Sequence, residues 1–275
     1  MVATLAAALL IVSAALAAEP TVPLGNADPF AVLAGETITN TGATTITGDV
    51  GLHPGPAVAG FGPGADQVTL VPPSALHVAD AVALAAKNAL VTAYNDAAGR
   101  DVTATIATEL GGATLPGGVY NSDAGTFQIT GTLTLDGEND PNAVWIFQME
   151  STLLATGSSN VAFIRAADAC NVFWQVGSSA VIEPGATFSG NILALTSISL
   201  QTGATLYGRA LARNGSVTMD TNTITRAVCL PDVGPGTGGG STSGTEDAHL
   251  FILAGGLFAV AIGVLAMRRR ASRSN

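Results

Sequence analysis

Asp136, Glu138 and Asp140 alternate through the segment "DGENDPN". Oxygen ligands at every second position could hold calcium, and paired carboxylates could cleave a polysaccharide bound along a β-helix. The ordinary use of such a segment is a polar turn between two strands. His53, His77 and His249 are scattered along the chain and make no triad or metal cluster. No glycine run has phosphate-binding spacing before a helix, and aromatic residues at 5% leave few platforms for stacking on sugars. No catalytic residue, metal ligand or cofactor site is therefore expected. Cys170 and Cys229 are the two cysteines. In an exported chain such a pair is read as a structural disulfide.

Threonine offers a different chemistry, because it comes back at a fixed interval. Ala186-Thr187-Phe188, Ala204-Thr205-Leu206 and Asn222-Thr223-Ile224 follow one another at a spacing of 18 residues. A period near 20 built of short alternating segments signals a solenoid. If Phe188, Leu206 and Ile224 point inward, alternation turns Thr187, Thr205 and Thr223 outward on one face. Ile198-Ser199-Leu200 and Val217-Thr218-Met219 form a second short strand in each repeat. Ile192-Leu193-Ala194 and Ala210-Leu211-Ala212 belong to a third. Three strands per turn make a triangular parallel coil. "VFWQVGSSAVIEPG" and "VWIFQMESTLLATGSSNVAF" fit the same plan, with an insertion around "RAADAC". Ser74 to Gly99 departs from it: Ala, Val and Leu recur there at helical spacing, after Pro72-Pro73, which predicts a helix over about 74–99. The preceding "ETITNTGATTITGDVGLHPG" is expected to complete or cap the coil.

The ends read as targeting segments. Residues 1–18 are apolar and close on Ala15-Leu16-Ala17, as a signal peptide does, though without a basic start. Leu250 to Met267 is an uncharged run long enough for a transmembrane helix. Residues 268–275 form a basic tail that would face the cytoplasm. Residues 230–249, rich in Gly and Ser, read as a linker, leaving 19–229 as the folded domain at the cell surface. The formal charge of -10 becomes -14 once Arg268, Arg269, Arg270 and Arg273 are set aside. An acidic body without a basic stripe argues against nucleic acid as a partner. A membrane contact is expected only through the C-terminal helix, and the body is expected to be monomeric.

"NTGATTITGDVGLHPG", "AYNDAAGR", "LPGGVY", "GTLTLDGENDPNAVWIFQ", "ACNVFWQVGSSA" and "ILALTSISLQTGATLYGRALARNGSVTMDTNTIT" together resemble the microbial ice-binding protein family. The resemblance runs from about Leu24 to Cys229. It implies a right-handed parallel β-helix flanked by a long helix, whose rungs do not follow chain order and which binds ice through one flat face. Carried across by motif and register, that face takes Thr39, Gln128, Thr130, Leu154, Thr156, Val181, Ser199, Thr202 and Thr218, with Glu183 and Asp220 at its edge. The most regular ladder lies on a competing wall, in the column Thr132, Asn160, Thr187, Thr205 and Thr223. The alternative from another class is a surface protein that binds or cleaves polysaccharide.

Overall fold

The computed structural model describes residues 19–228. The strands among them pair only in parallel. They form one sheet of seven strands and one of fifteen, and the larger sheet bends to supply two of the three walls of a triangular coil. The bend falls inside Thr187–Ala194 and Thr205–Ala212, eight residues each. Gly190 and Gly208 sit there at φ 108° and 151°. A Cβ on Gly208 would lie 1.9 Å from the Gly190 carbonyl oxygen, so neighbouring rungs approach too closely for any side chain.

The coil closes out of chain order. Thr37–Thr41 pairs with Val217–Asp220, Phe30–Ala34 with Thr205–Ala212, and Thr44–Thr47 with Thr223–Thr225. The N-terminal rungs therefore stack on the C-terminal one. Chain next leaves this end through Leu76–Val78, which pairs with Asp49–Leu52. It returns to the far end by α1, Ala81–Ala98, an 18-residue helix. The helical spacing predicts a start at Ser74, but Leu76–Val78 is a strand and Asp80 marks the boundary. Its carboxylate accepts from Ala83 N at 2.7 Å, an N-cap bond that fixes the start.

The interior follows from the alternation. Ile38, Ile46, Phe127, Leu133, Leu153, Phe188, Leu206, Val217 and Ile224 are all buried inside the coil. Phe147 stacks on Trp174 with ring centroids 4.1 Å apart. Trp174 Nε1 donates to Ser189 O at 3.0 Å, which removes the one polar cost of burying the indole. A second apolar cluster joins Leu90, Ala93 and Ala97 of α1 to Phe173, Leu193 and Leu211 on the outer side of one wall. Small residues on the helix let it approach that wall closely.

The expected architecture needs correction at its C-terminal end. No helix among the described residues is long and apolar enough to cross a membrane. The transmembrane span expected at 250–267 lies outside those residues, and among the described residues the fold is the β-solenoid with α1 alongside it. Outside them too lie the signal peptide at 1–18, the linker at 230–249 and the basic tail at 268–275. Cys170 is buried and disulfide-bonded. Cys229, its expected partner, is not among the described residues.

Candidate functional site

Of the three walls, the helix-bearing one is occupied. Lys87 of α1 reaches through the cluster and donates from Nζ to Ala212 O and Arg213 O at 2.6 and 2.5 Å. Burial, with Arg213 nearby, lowers its pKa to about 7. Farther along, Gln175 Nε2 donates to the Tyr94 hydroxyl at 2.8 Å. At the end of the helix Gln148 Nε2 donates to Ala97 O and Arg100 O at 2.8 and 2.9 Å, satisfying carbonyls that the helix leaves free. This wall is buried by construction.

The seven-stranded wall is open. Its register aligns Gln128 with Leu154, Val181, Ser199, Thr218 and Thr39 in one outward row, and Ala59 continues it. Sequence reasoning thus brings together six of its nine residues in a single line. Thr130 and Thr156 lie two positions farther along their strands, on the same outward side, and Thr202 stands in the turn beyond Ile198–Leu200. Two positions before the row comes a run of small hydroxyls at Thr126, Thr152, Ser179, Ser197, Ser216 and Thr37. That run was not anticipated, although a Ser or Thr directly ahead of each inward residue, as in Ser197-Ile198, Ser216-Val217 and Thr37-Ile38, signals it.

Hydrogen bonds fix the polar groups of this wall. Gln128 Nε2 donates to Thr130 Oγ1 at 3.1 Å, and Thr156 Oγ1 donates to Ile129 O at 3.1 Å. The two carboxylates at the edge are engaged. Glu183 Oε2 accepts from Gly157 N at 3.0 Å. Asp220 accepts from the hydroxyls of Thr202 at 2.5 Å and Thr221 at 2.9 Å, bonds that lower its pKa.

On the third wall the threonine ladder is longer than expected. Thr132, Asn160, Thr187, Thr205 and Thr223 do align, and Thr45 and Thr69 extend the column. The two additions arrive through the out-of-order closure, so no fixed interval reveals them. The repeated triplet Thr-Ile-Thr at 45–47 and 223–225 is the signal that could have done so. Beside the column this wall is not flat. Tyr207 projects half-exposed, and its pKa is raised by burial and by the Asp168 carboxylate. The turn Ala169–Asn171 packs against both eight-residue strands there.

The segment of alternating acids is a structural turn. Asp136 is clasped by the Arg165 guanidinium through Nε at 2.7 Å and through Nη2. Asp140 Oδ1 accepts from Asn142 N at 2.9 Å. His77 lies at the other end of the chain's path, bonded to Asp80 at 2.9 Å.

Residues 32–225 match the family model described as Ice-binding-like. The chain is 46% identical over 209 residues to an ice-binding protein of Nostoc sp. strain HG1, covering 74% of each sequence. Its fold is similar to the crystal structure of an ice binding protein from an Antarctic biological consortium, with TM-score 0.72 and 44% identity, covering 77% of this chain and 94% of that one. It is similar also to the ice-binding protein of the Antarctic ascomycete Antarctomyces psychrotrophicus, with TM-score 0.71 and 36% identity over 76% of this chain and all of the other.

Proposed function

Because the chain belongs to the ice-binding-like family, we propose that it adsorbs to ice through the outer side of the seven-stranded wall and so restrains ice growth and recrystallisation. The observation that carries this reading is the state of the three walls. One is covered by α1 and another carries the ridge of Tyr207 and the turn beside it. The seven-stranded wall keeps its outward row free.

Six rung spacings of ~4.8 Å give that wall a length of roughly 29 Å. Its strands pair on both sides except at the two ends, so the hydroxyls are held at fixed intervals. A threonine carries a hydroxyl and a methyl on a stiff χ1, and can hold water in place at little further loss of entropy. Water ordered in this way before contact lowers the cost of merging with a lattice. Leu154 and Val181 contribute methyl groups to the middle of the row. Glu183 and Asp220 do not disturb it as free charges would, because each is already accepting hydrogen bonds from the protein.

Export accompanies this reading, since an ice face acts only where ice forms and a disulfide-bonded Cys170 suits an oxidising compartment. The body acts as a monomer. The polysaccharide reading is set aside, because Asp136 is spent in its pair with Arg165 and the relatives are ice-binding proteins. Incorporation of the purified chain into a slowly growing ice front tests the proposal. A folded protein excluded from the front, with recrystallisation proceeding at the rate of buffer, would end it.

A further inference from the structure

We propose that Asp220 is a positioning residue for ice adsorption: its carboxylate takes the hydroxyl hydrogens of Thr202 and Thr221 and so fixes both oxygens, at the rim of the seven-stranded wall, as hydrogen-bond acceptors toward water. This deepens the ice-binding reading and rests on it. Three observations support it.

The first is backbone strain. Where the seven-stranded wall turns into the next, successive rungs adopt a positive φ, and Gly185, Gly203 and Gly42 stand there, each at 73°. The rung between Gly203 and Gly42 puts Thr221 in that place, at φ 54°. A β-branched residue is an outlier in this region, and such strain persists only where the surroundings over-determine it. Here they do. Thr221 N donates to Thr41 O at 2.9 Å, and Asp220 N donates to Asn222 Oδ1 at 2.7 Å. Asn222 is buried and donates in turn from Nδ2 to Gln201 O and Ala204 O at 2.9 and 3.0 Å. A glycine would make the same turn without strain, so the threonine supplies something that the turn itself does not need.

The second is the room made for the Thr221 hydroxyl. A Cβ on Gly42 would lie 2.3 Å from Thr221 Oγ1, so the neighbouring rung can carry no side chain where that oxygen stands. Positions in two rungs, far apart in sequence, are thus committed to one exposed hydroxyl.

The third is the direction of the hydrogen bonds. Thr202 donates to Asp220 Oδ2, and Thr221 donates to Asp220 Oδ1 at 2.9 Å. An ionised carboxylate only accepts, and each hydroxyl has a single hydrogen, so both threonine oxygens keep only lone pairs for solvent. Bonds to a charged acceptor are stronger than neutral ones and hold this arrangement against rotation of the hydroxyls. Beside the rim lies an open recess of about 320 Å³, lined in part by Thr202 and Asp220 and sharing Thr39, Ser199 and Thr218 with the outward row. Water in the recess therefore meets an edge of fixed polarity to which it must donate. Orientation set before contact lowers the entropy lost when that water joins a lattice.

The test sets activity against stability in the full chain. Thr221→Gly removes the hydroxyl and the strain together. Its melting temperature is expected to equal or exceed the parent's, while the concentration needed to stop recrystallisation rises several-fold. Thr221→Ser keeps the hydroxyl and is expected to stay near the parent. Asp220→Asn, whose amide nitrogen donates, cannot take both hydrogens in this way and should weaken inhibition as Thr221→Gly does. Thr202→Val, which removes the other hydroxyl, replaces Asp220→Asn if that variant melts early. Parental inhibition by Thr221→Gly and Asp220→Asn overturns the proposal. So does a loss in Thr221→Gly that follows a fall in melting temperature, or Thr221→Ser as weak as Thr221→Gly, because the residue then serves the coil rather than the water. A parent that neither enters growing ice nor slows recrystallisation defeats the ice-binding reading itself, whatever the variants do.

Discussion

Thr37 donates its hydroxyl hydrogen bond to Ser216 Oγ at 2.7 Å, across 179 residues of chain. The bond lies on the seam where the N-terminal rung joins the C-terminal one. Ile38, beside it, is fully buried against the neighbouring rungs. Truncating it leaves a cavity on the seam where the N-terminal and C-terminal rungs meet. Ile38→Ala is expected to cost about 2–5 kcal/mol of stability, read from urea unfolding. A loss well under 1 kcal/mol would mean that the seam contributes little to holding the coil closed.

Ser199 stands in the middle of the outward row, between Val181 and Thr218. A tyrosine there lifts the wall from any flat surface. Ser199→Tyr is expected to lose most of the inhibition of recrystallisation, whereas Thr205→Tyr loses little because the broader wall remains. Thermal melts of both variants should stay near the parent. Recrystallisation that Ser199→Tyr still blocks at parental concentrations would move the main site elsewhere.

Lys87 gives stability a distinctive dependence on pH. Burial pushes its folded pKa down to about 7, from an ordinary lysine value of 10.5. Between those values the unfolded chain binds more protons than the folded one, so stability rises with pH through that window. The contribution is complete above the unfolded pKa, declines as pH falls, and levels off below about 7. In Lys87→Met the slope should flatten, as followed by chemical denaturation at a series of pH values. An unchanged slope would show that the ammonium is not the group responsible.

Cys170 is buried against Ala227, near the end of the described chain. We expect its bridge to run to Cys229 and to stabilise the body by roughly 2–4 kcal/mol. Reduction should lower the melting temperature. Two reactive thiols per chain in the native protein would refute the pairing.

The triangular coil was legible because Phe188, Leu206 and Ile224 recur at a constant interval and alternation settles which way their neighbours point. Thr45 and Thr69 were not legible as members of the same column. Their partners lie far off in sequence, and pairing at such separation leaves no local period. The helix was read seven residues too long at its start because a three-residue strand, Leu76–Val78, is too short to impose a period of two. The ridge beside the second column was hidden for another reason. The insertion around Ala169 has no pattern of its own, and only its packing places it against Tyr207. The locally repeating members of both walls were thus readable from their spacing, whereas the members brought in by the out-of-order closure and the relief of the walls depended on long-range packing.

α1 has a turn of ~5.4 Å, close to the ~4.8 Å between rungs. Lys87 meets the rung of Ala212, Tyr94 that of Gln175, and Ala97 that of Gln148. The helix therefore works as a vernier against the stack, advancing about one turn for each rung it crosses. An added coil would require about three more helical residues to keep every later contact in step. Because the C-terminal rung is already covered by the N-terminal ones, that coil could not simply be appended to the end of the chain. Growth of the adsorbing wall by duplication is thus coupled to a matching insertion in α1, so this scaffold resists the free lengthening that open-ended repeat arrays permit.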